Sequence, residues 1–228
     1  TTAGPNDAFG STALINNTTG TNNVAIGANS LNANTIGVNN TAVGSSSLLS
    51  NSTGSSNTAT GAGSLYKNTA NGNTAFGSSS GYNNTSGVAL TSVGTSALYN
   101  NTTGNGNAAF GNSALYNNTT GSNNVAIGSS YGVNPPLYSN TTGSNNIAIG
   151  AGAGAAITTG SYNTAMGVSS GTTLTTGGYN VYLGNGATAS TSGVNNEIVI
   201  SAATSTTGKG SSTGFINPGS GGVFQGNN

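Results

Sequence analysis

Asn107-Ala108-Ala109-Phe110-Gly111-Asn112-Ser113-Ala114-Leu115-Tyr116-Asn117-Asn118-Thr119-Thr120-Gly121-Ser122-Asn123 is followed at Asn124 by Val125-Ala126-Ile127-Gly128, the same motif begun again. The five-residue core of that motif, Asn-x-Ala-(apolar)-Gly, recurs from Asn6–Gly10 to Asn163–Gly167, with a degenerate copy at Leu90–Gly94. Asn180–Gly184 is a variant with Tyr182 in the Ala position. The closing glycines from Gly10 to Gly184 define ten intervals, of which eight are 17 residues, one is 16 and one is 22. A fixed period of this length marks a repeat architecture in which each unit packs on its neighbours.

Within a unit, a second glycine closes a turn-like Asn-Thr-Thr-Gly, as at Asn17–Gly20, Asn101–Gly104, Asn118–Gly121 and Asn140–Gly143. Four residues after the first glycine lies an apolar slot: Leu14, Leu31, Leu48, Leu65, Leu98 and Leu115. Gly81, Gly132, Gly154 and Gly171 stand there in other copies. Val, Ile and Thr beside these slots favour extended backbone, while Gly and Asn suit tight turns. No apolar stripe of helical period runs through the chain. The pattern predicts an all-β fold, a parallel β-solenoid with one 17-residue coil per repeat. The repeat domain is expected over residues 1–200, with an irregular Gly/Ser-rich segment, a cap or subunit linker, over 201–228.

A strand alternates faces with a period of two. The residue before the closing glycine is apolar in most copies (Phe9, Ile26, Val43, Phe76, Phe110, Ile127), and that column is expected to face the core. The alanines, including Ala8, Ala25, Ala42, Ala59 and Ala75, are then expected to face a close neighbour, because a larger group would force two backbones apart.

Composition limits the function. Gly, Asn, Thr and Ser contribute 39, 38, 35 and 32 of the 228 residues, and the only charged side chains are Asp7, Lys67, Glu197 and Lys209. Without His, Cys or paired carboxylates there is almost nothing to serve as general acid or base, so no catalytic residues are expected. Metal sites lack their usual ligands, and no cofactor is expected. Two lysines cannot supply the phosphate contacts of a nucleic-acid binder. No apolar run is long enough to insert in a membrane. The start at Thr1 suggests a processed chain or the ordered part of a longer one.

These motifs, Asn-x-(Val/Thr)-Ala-Ile-Gly alternating with Ala-Leu-x-Asn-Asn-Thr-Thr-Gly, resemble the head repeats of trimeric autotransporter adhesins and of phage and viral tail fibres. The resemblance covers about Asn6 to Ile200 and implies a left-handed parallel β-roll, packed as a homotrimer. It also implies an extracellular or virion-surface location. The adhesin-head repeat is commonly shorter than 17 residues, and no heptad stalk follows here. The expected function is a structural or adhesive fibre that binds cell-surface carbohydrate; the alternative is an extracellular filament subunit that polymerises end to end without a receptor.

Two groups of residues are candidates for recognition. Tyr66, Tyr82, Tyr99 and Tyr116 share one slot in four consecutive coils, either as an aromatic ladder that joins coils or as a strip for sugar rings. The 22-residue interval carries an insertion around Tyr131, Asn134, Pro135, Pro136 and Tyr138, expected to loop off the surface as a receptor contact.

Overall fold

The chain is represented by a computed structural model that describes residues 4–129 and 134–219. Its strands are β1 (Asp7–Phe9), β2 (Val24–Ile26), β3 (Thr41–Val43), β4 (Thr58–Thr60), β5 (Thr74–Phe76), β6 (Thr91–Val93), β7 (Ala108–Phe110), β8 (Val125–Ile127), β9 (Ile147–Ile149), β10 (Thr164–Met166), β11 (Val181–Leu183), β12 (Ile198–Ser201) and β13 (Gly214–Asn217). They form one parallel sheet in strict sequence order, so each coil pairs only with the coils before and after it. This is the β-solenoid that the repeat predicts. Twelve steps between strands at about 4.8 Å give a rod about 58 Å long. Among the described residues there is no helix long and apolar enough to cross a membrane.

The register is residue on residue: Ala8 pairs with Ala25 and Ala25 with Ala42, and Ala126 pairs with Ala148 across the 22-residue coil. The closing glycine keeps its place because of the close stacking. A Cβ added to Gly27 (φ 125°) would lie 2.6 Å from the carbonyl carbon of Gly44 in the next coil. No side chain fits there.

The strand faces are the reverse of the expectation. Ala25, Ala42, Ala59, Ala75, Ala109, Ala126 and Ala148 are fully buried, and the flanking apolar residues point outward. Phe9, Ile26, Phe76, Phe110, Ile127 and Met166 are 39–79% exposed. Alternation of period two holds, but its phase is inverted, because the lumen of the coil is narrow. Alanine is small because it faces the leucine and asparagine columns across the lumen, not because another chain lies against it.

The leucine slot faces the core as expected: Leu31, Leu48, Leu98, Leu115 and Leu137 are fully buried. These leucines also adopt left-handed backbone, with φ from 47° to 55° in Leu14, Leu31, Leu48, Leu65, Leu98, Leu115 and Leu137. Such φ is costly for a bulky residue, and glycine adopts it freely. This explains why Gly81 (φ 63°), Gly154 (φ 55°) and Gly171 (φ 64°) occupy the same slot. The missing volume then comes from elsewhere. A Cβ on Gly154 would meet Ile157 and Leu137, and one on Gly171 would meet Tyr182. The coil with Gly81 carries buried Leu90 where other coils have asparagine.

The remaining core is polar, and the repeated asparagines build it. In the first column, Asn40 donates its backbone N–H (2.9 Å) and its Nδ2 (3.1 Å) to Oδ1 of Asn23, and Asn57 repeats the pattern on Asn40. In the second column, Nδ2 of Asn34, Asn101 and Asn118 donates to Oδ1 of Asn17, Asn84 and Asn101. The carbonyl of Gly37 accepts from Asn23 (2.8 Å) and Asn34 (3.1 Å), and so ties the two columns together. A buried amide left unpaired costs about 1–3 kcal/mol, so these ladders hold only because each coil serves the next. Read as turn residues, these asparagines are instead the polar half of the core.

The sheet continues past residue 200, where the repeat domain was expected to end. β12 and β13 pair in register, with Val199 opposite Phe215. Gly214-Phe215-Ile216-Asn217 has no Ala in the inward position, and Phe215 packs against the core instead.

Candidate functional site

Three surface features are built from the same coil geometry. The first is the tyrosine ladder. The residue after the slot position points outward, and from Tyr66 to Tyr116 it is a tyrosine in four consecutive coils, each ring above the next. Ring centroids are 4.7 Å apart for Tyr66 and Tyr82, 5.2 Å for Tyr82 and Tyr99, and 5.1 Å for Tyr99 and Tyr116. Tyr138 extends the ladder to a fifth ring, 5.6 Å from Tyr116. Tyr162 and Tyr179 form a separate pair at 4.7 Å. Because the rings stack face to face, a ligand alongside the ladder meets ring edges and hydroxyls. The Tyr82 hydroxyl is held above the usual tyrosine pKa range, first by burial and then by its neighbours Tyr66 and Tyr99.

In the 22-residue coil, the residues from Asn134 onward are described. Leu137 fills the leucine slot, with its N–H bonded to the Ala153 carbonyl, and Tyr138 takes the ladder position. Pro135 and Pro136 are buried, and the Pro136 carbonyl accepts from Leu115 N–H. Gly132, which the spacing put in the slot, lies outside the described residues, and Leu137 continues the leucine column. Asn134 is exposed, and Tyr131 lies outside the described residues. Of the residues expected to form a receptor contact, Pro135, Pro136 and Tyr138 belong to the coil itself.

The second feature is a groove of about 540 Å³ beside the ladder, lined by Lys67, Asn83, Asn100, Asn117, Ser139 and the threonine column. Asn83 donates to Asn100 Oδ1 (3.1 Å), and Asn100 donates to Asn117 Oδ1 (3.3 Å). On the opposite wall, Oγ1 of Thr85, Thr102 and Thr119 donates to the carbonyl of the threonine one coil on, at 2.9, 2.9 and 3.0 Å. Sequence reasoning missed this groove. The Asn-Asn-Thr-Thr string does carry the signal: its first Asn faces out, the second in and the following Thr out.

The third feature is the outer sheet face. Its two columns run from Asp7 and Phe9 at one end to Ile198 and Ile200 at the other, and Asp7 is the only charge in them. The Phe9–Ile200 column is apolar except at Thr60, whereas the Asp7–Ile198 column sets Thr41, Thr58, Thr74, Thr91 and Thr164 among Val, Ala and Ile. No protein-family model matches the chain, and no curated protein or solved structure matches it significantly.

Proposed function

We propose that the chain is a rod-like segment of a structural, adhesive surface fibre, carried outside a cell or on a virion. In this reading it associates with further copies through the outer sheet face and attaches to cell-surface carbohydrate. The carrying observation is the outward column of Phe, Ile, Val, Met and Leu from Phe9 to Ile200, interrupted by Thr60, on a rod whose core contains two amide ladders. Such a core buries little apolar area, and side-by-side packing of sheet faces adds what a single coil lacks. A homotrimer of rolls, as in the fibres that the repeats resemble, is the expected assembly. No catalysis is assigned.

End-to-end polymerisation is the less favoured assembly, because the described coils are not alike in cross-section. β1 begins with the regular Asn-x-Ala pattern, whereas the last coils carry Tyr182, Glu197 and Phe215 in their core. Sedimentation velocity tests the face. Wild type should sediment as a multimer at micromolar concentration. Ile26→Lys with Ile127→Lys should yield a folded monomer, while Ala126→Lys should not fold at all, since it buries a charge. A monomeric wild type, or an assembled double variant, refutes the sheet-face interface.

A further inference from the structure

We propose that the groove beside the tyrosine ladder is the carbohydrate site, and that it takes a linear, neutral polysaccharide laid along the rod axis. This rests on the adhesive reading above and deepens it by naming the site and the ligand class. The two walls of the groove carry opposite hydrogen-bonding character. A side-chain amide nitrogen has two hydrogens. Asn83 and Asn100 each spend one on the next asparagine, which leaves the other for a ligand. Thr85, Thr102, Thr119 and Thr141 spend their hydroxyl hydrogens on carbonyls of the following coil, so their oxygens remain as acceptors. One wall therefore presents donors and the other acceptors, once per coil, at a pitch of about 4.8 Å. Sugar hydroxyls both donate and accept, and an extended polysaccharide repeats them regularly along its length.

Other polymers fit less well. Nucleic acid needs several cations, and Lys67, at one end of the groove, is the only charged residue lining it. An extended peptide bound by strand addition needs unpaired backbone, and here it is already paired coil to coil, as in Thr102 N–H to Thr119 carbonyl at 2.9 Å. Each stacked tyrosine of the ladder immediately precedes a groove residue in the chain, but none of the tyrosines lines the groove. Their faces are closed to ligand, so the polar walls carry the recognition.

Calorimetric titration of the intact chain with cellohexaose, chitohexaose and mannohexaose, and with the corresponding trisaccharides, tests the proposal. At least one hexasaccharide should bind, about tenfold tighter than its trisaccharide, because five successive coils line the groove. Thr102→Val with Thr119→Val should weaken that binding about tenfold or more by removing two acceptors. Thr103→Val with Thr120→Val, exposed and outside the lining, should leave it unchanged. If the groove valines lower the melting temperature, Asn100→Ala tests the opposite wall. A hexasaccharide that binds equally to wild type and groove variants overturns the site but leaves adhesion standing. One that binds no tighter than its trisaccharide overturns the axial placement. If no member of the panel binds, the groove proposal falls, whereas the fibre reading stands or falls on sedimentation.

Discussion

The middle coils and the last coils meet the same demand, pairing a polar group inside a narrow lumen, by opposite means. From Asn23 to Asn180 most coils place an amide at the first column, and an amide both donates and accepts, so it can be repeated without limit. At the next position stands Glu197, fully buried. Its backbone N–H still donates to Asn180 Oδ1 (2.8 Å), but its carboxylate can only accept. It therefore needs donors around it, and the surrounding chain provides three: the Tyr182 hydroxyl (3.1 Å), Ser190 N–H (3.1 Å) and Gly210 N–H (2.7 Å). Gly208 gives the carboxylate room, since a Cβ there would run into it. Lys209 turns away, its Nζ 4.9 Å from the Phe215 ring centre. An amide propagates the ladder, and a carboxylate ends it.

The sharpest way to break this contrast is to put an acid where the ladder must continue. Asn124 donates Nδ2 to the Gly143 carbonyl at 2.9 Å, and an aspartate there would face that oxygen with a second one. Asn124→Asp should destabilise the rod by about 4 kcal/mol, as an uncompensated buried charge does. Chemical denaturation checks it, and a loss below the cost of a surface substitution would refute the ladder assignment. The converse change removes the terminus. Glu197→Ala strands three donors and should cost about 3 kcal/mol. Hydrogen exchange should show the loss confined to the coils after Val181, with the middle coils protected as before.

A smaller test concerns a defect inside the ladder region. Asn140 Oδ1 is buried without a partner because Ile157 stands where the next coil would present an asparagine. Ile157→Asn alone should lower stability by about 2 kcal/mol, since Ile157 also fills the space at Gly154. Adding Gly154→Leu rebuilds the common coil, and the double variant should melt at or above wild type. The smallest effect is alkaline. Burial, then the charge and hydrogen bond of Glu197, push the Tyr182 hydroxyl far above the tyrosine range. The unfolded chain releases this proton near the ordinary value of about 10 while the folded chain retains it. Stability is thus complete below that value and falls above it, by up to about 1.4 kcal/mol per pH unit. Tyr182→Phe should flatten this slope in melting curves taken above pH ~10.

The period, the parallel pairing and the leucine column were legible in the sequence, because glycine spacing and a lone aliphatic per coil leave few alternatives. The facing of the strands was not. Val24-Ala25-Ile26 reads equally well in either phase, and larger apolar residues are ordinarily placed inside. Only the width of the lumen, already filled by Leu31 and the two asparagine columns, decides for Ala25. The asparagines themselves were hidden by their company, since Asn beside Gly and Thr also describes a turn. Of the candidate sites, the tyrosine column was plain from spacing. The place of Tyr138 in that column is hidden when the insertion is aligned on Gly132, although Leu137-Tyr138 repeats the Leu115-Tyr116 pair.

The tolerance of the stack for coils of 16 and 22 residues has a consequence for how such a chain changes over generations. Each coil is bonded only to its two neighbours, and those neighbours are nearly alike. Unequal recombination that duplicates or deletes one whole unit therefore joins surfaces that already match. The gene can lengthen or shorten the rod in increments of about 4.8 Å without redesigning any contact. Reach thus becomes a heritable quantity that varies in discrete steps, while every surface column is carried along in register.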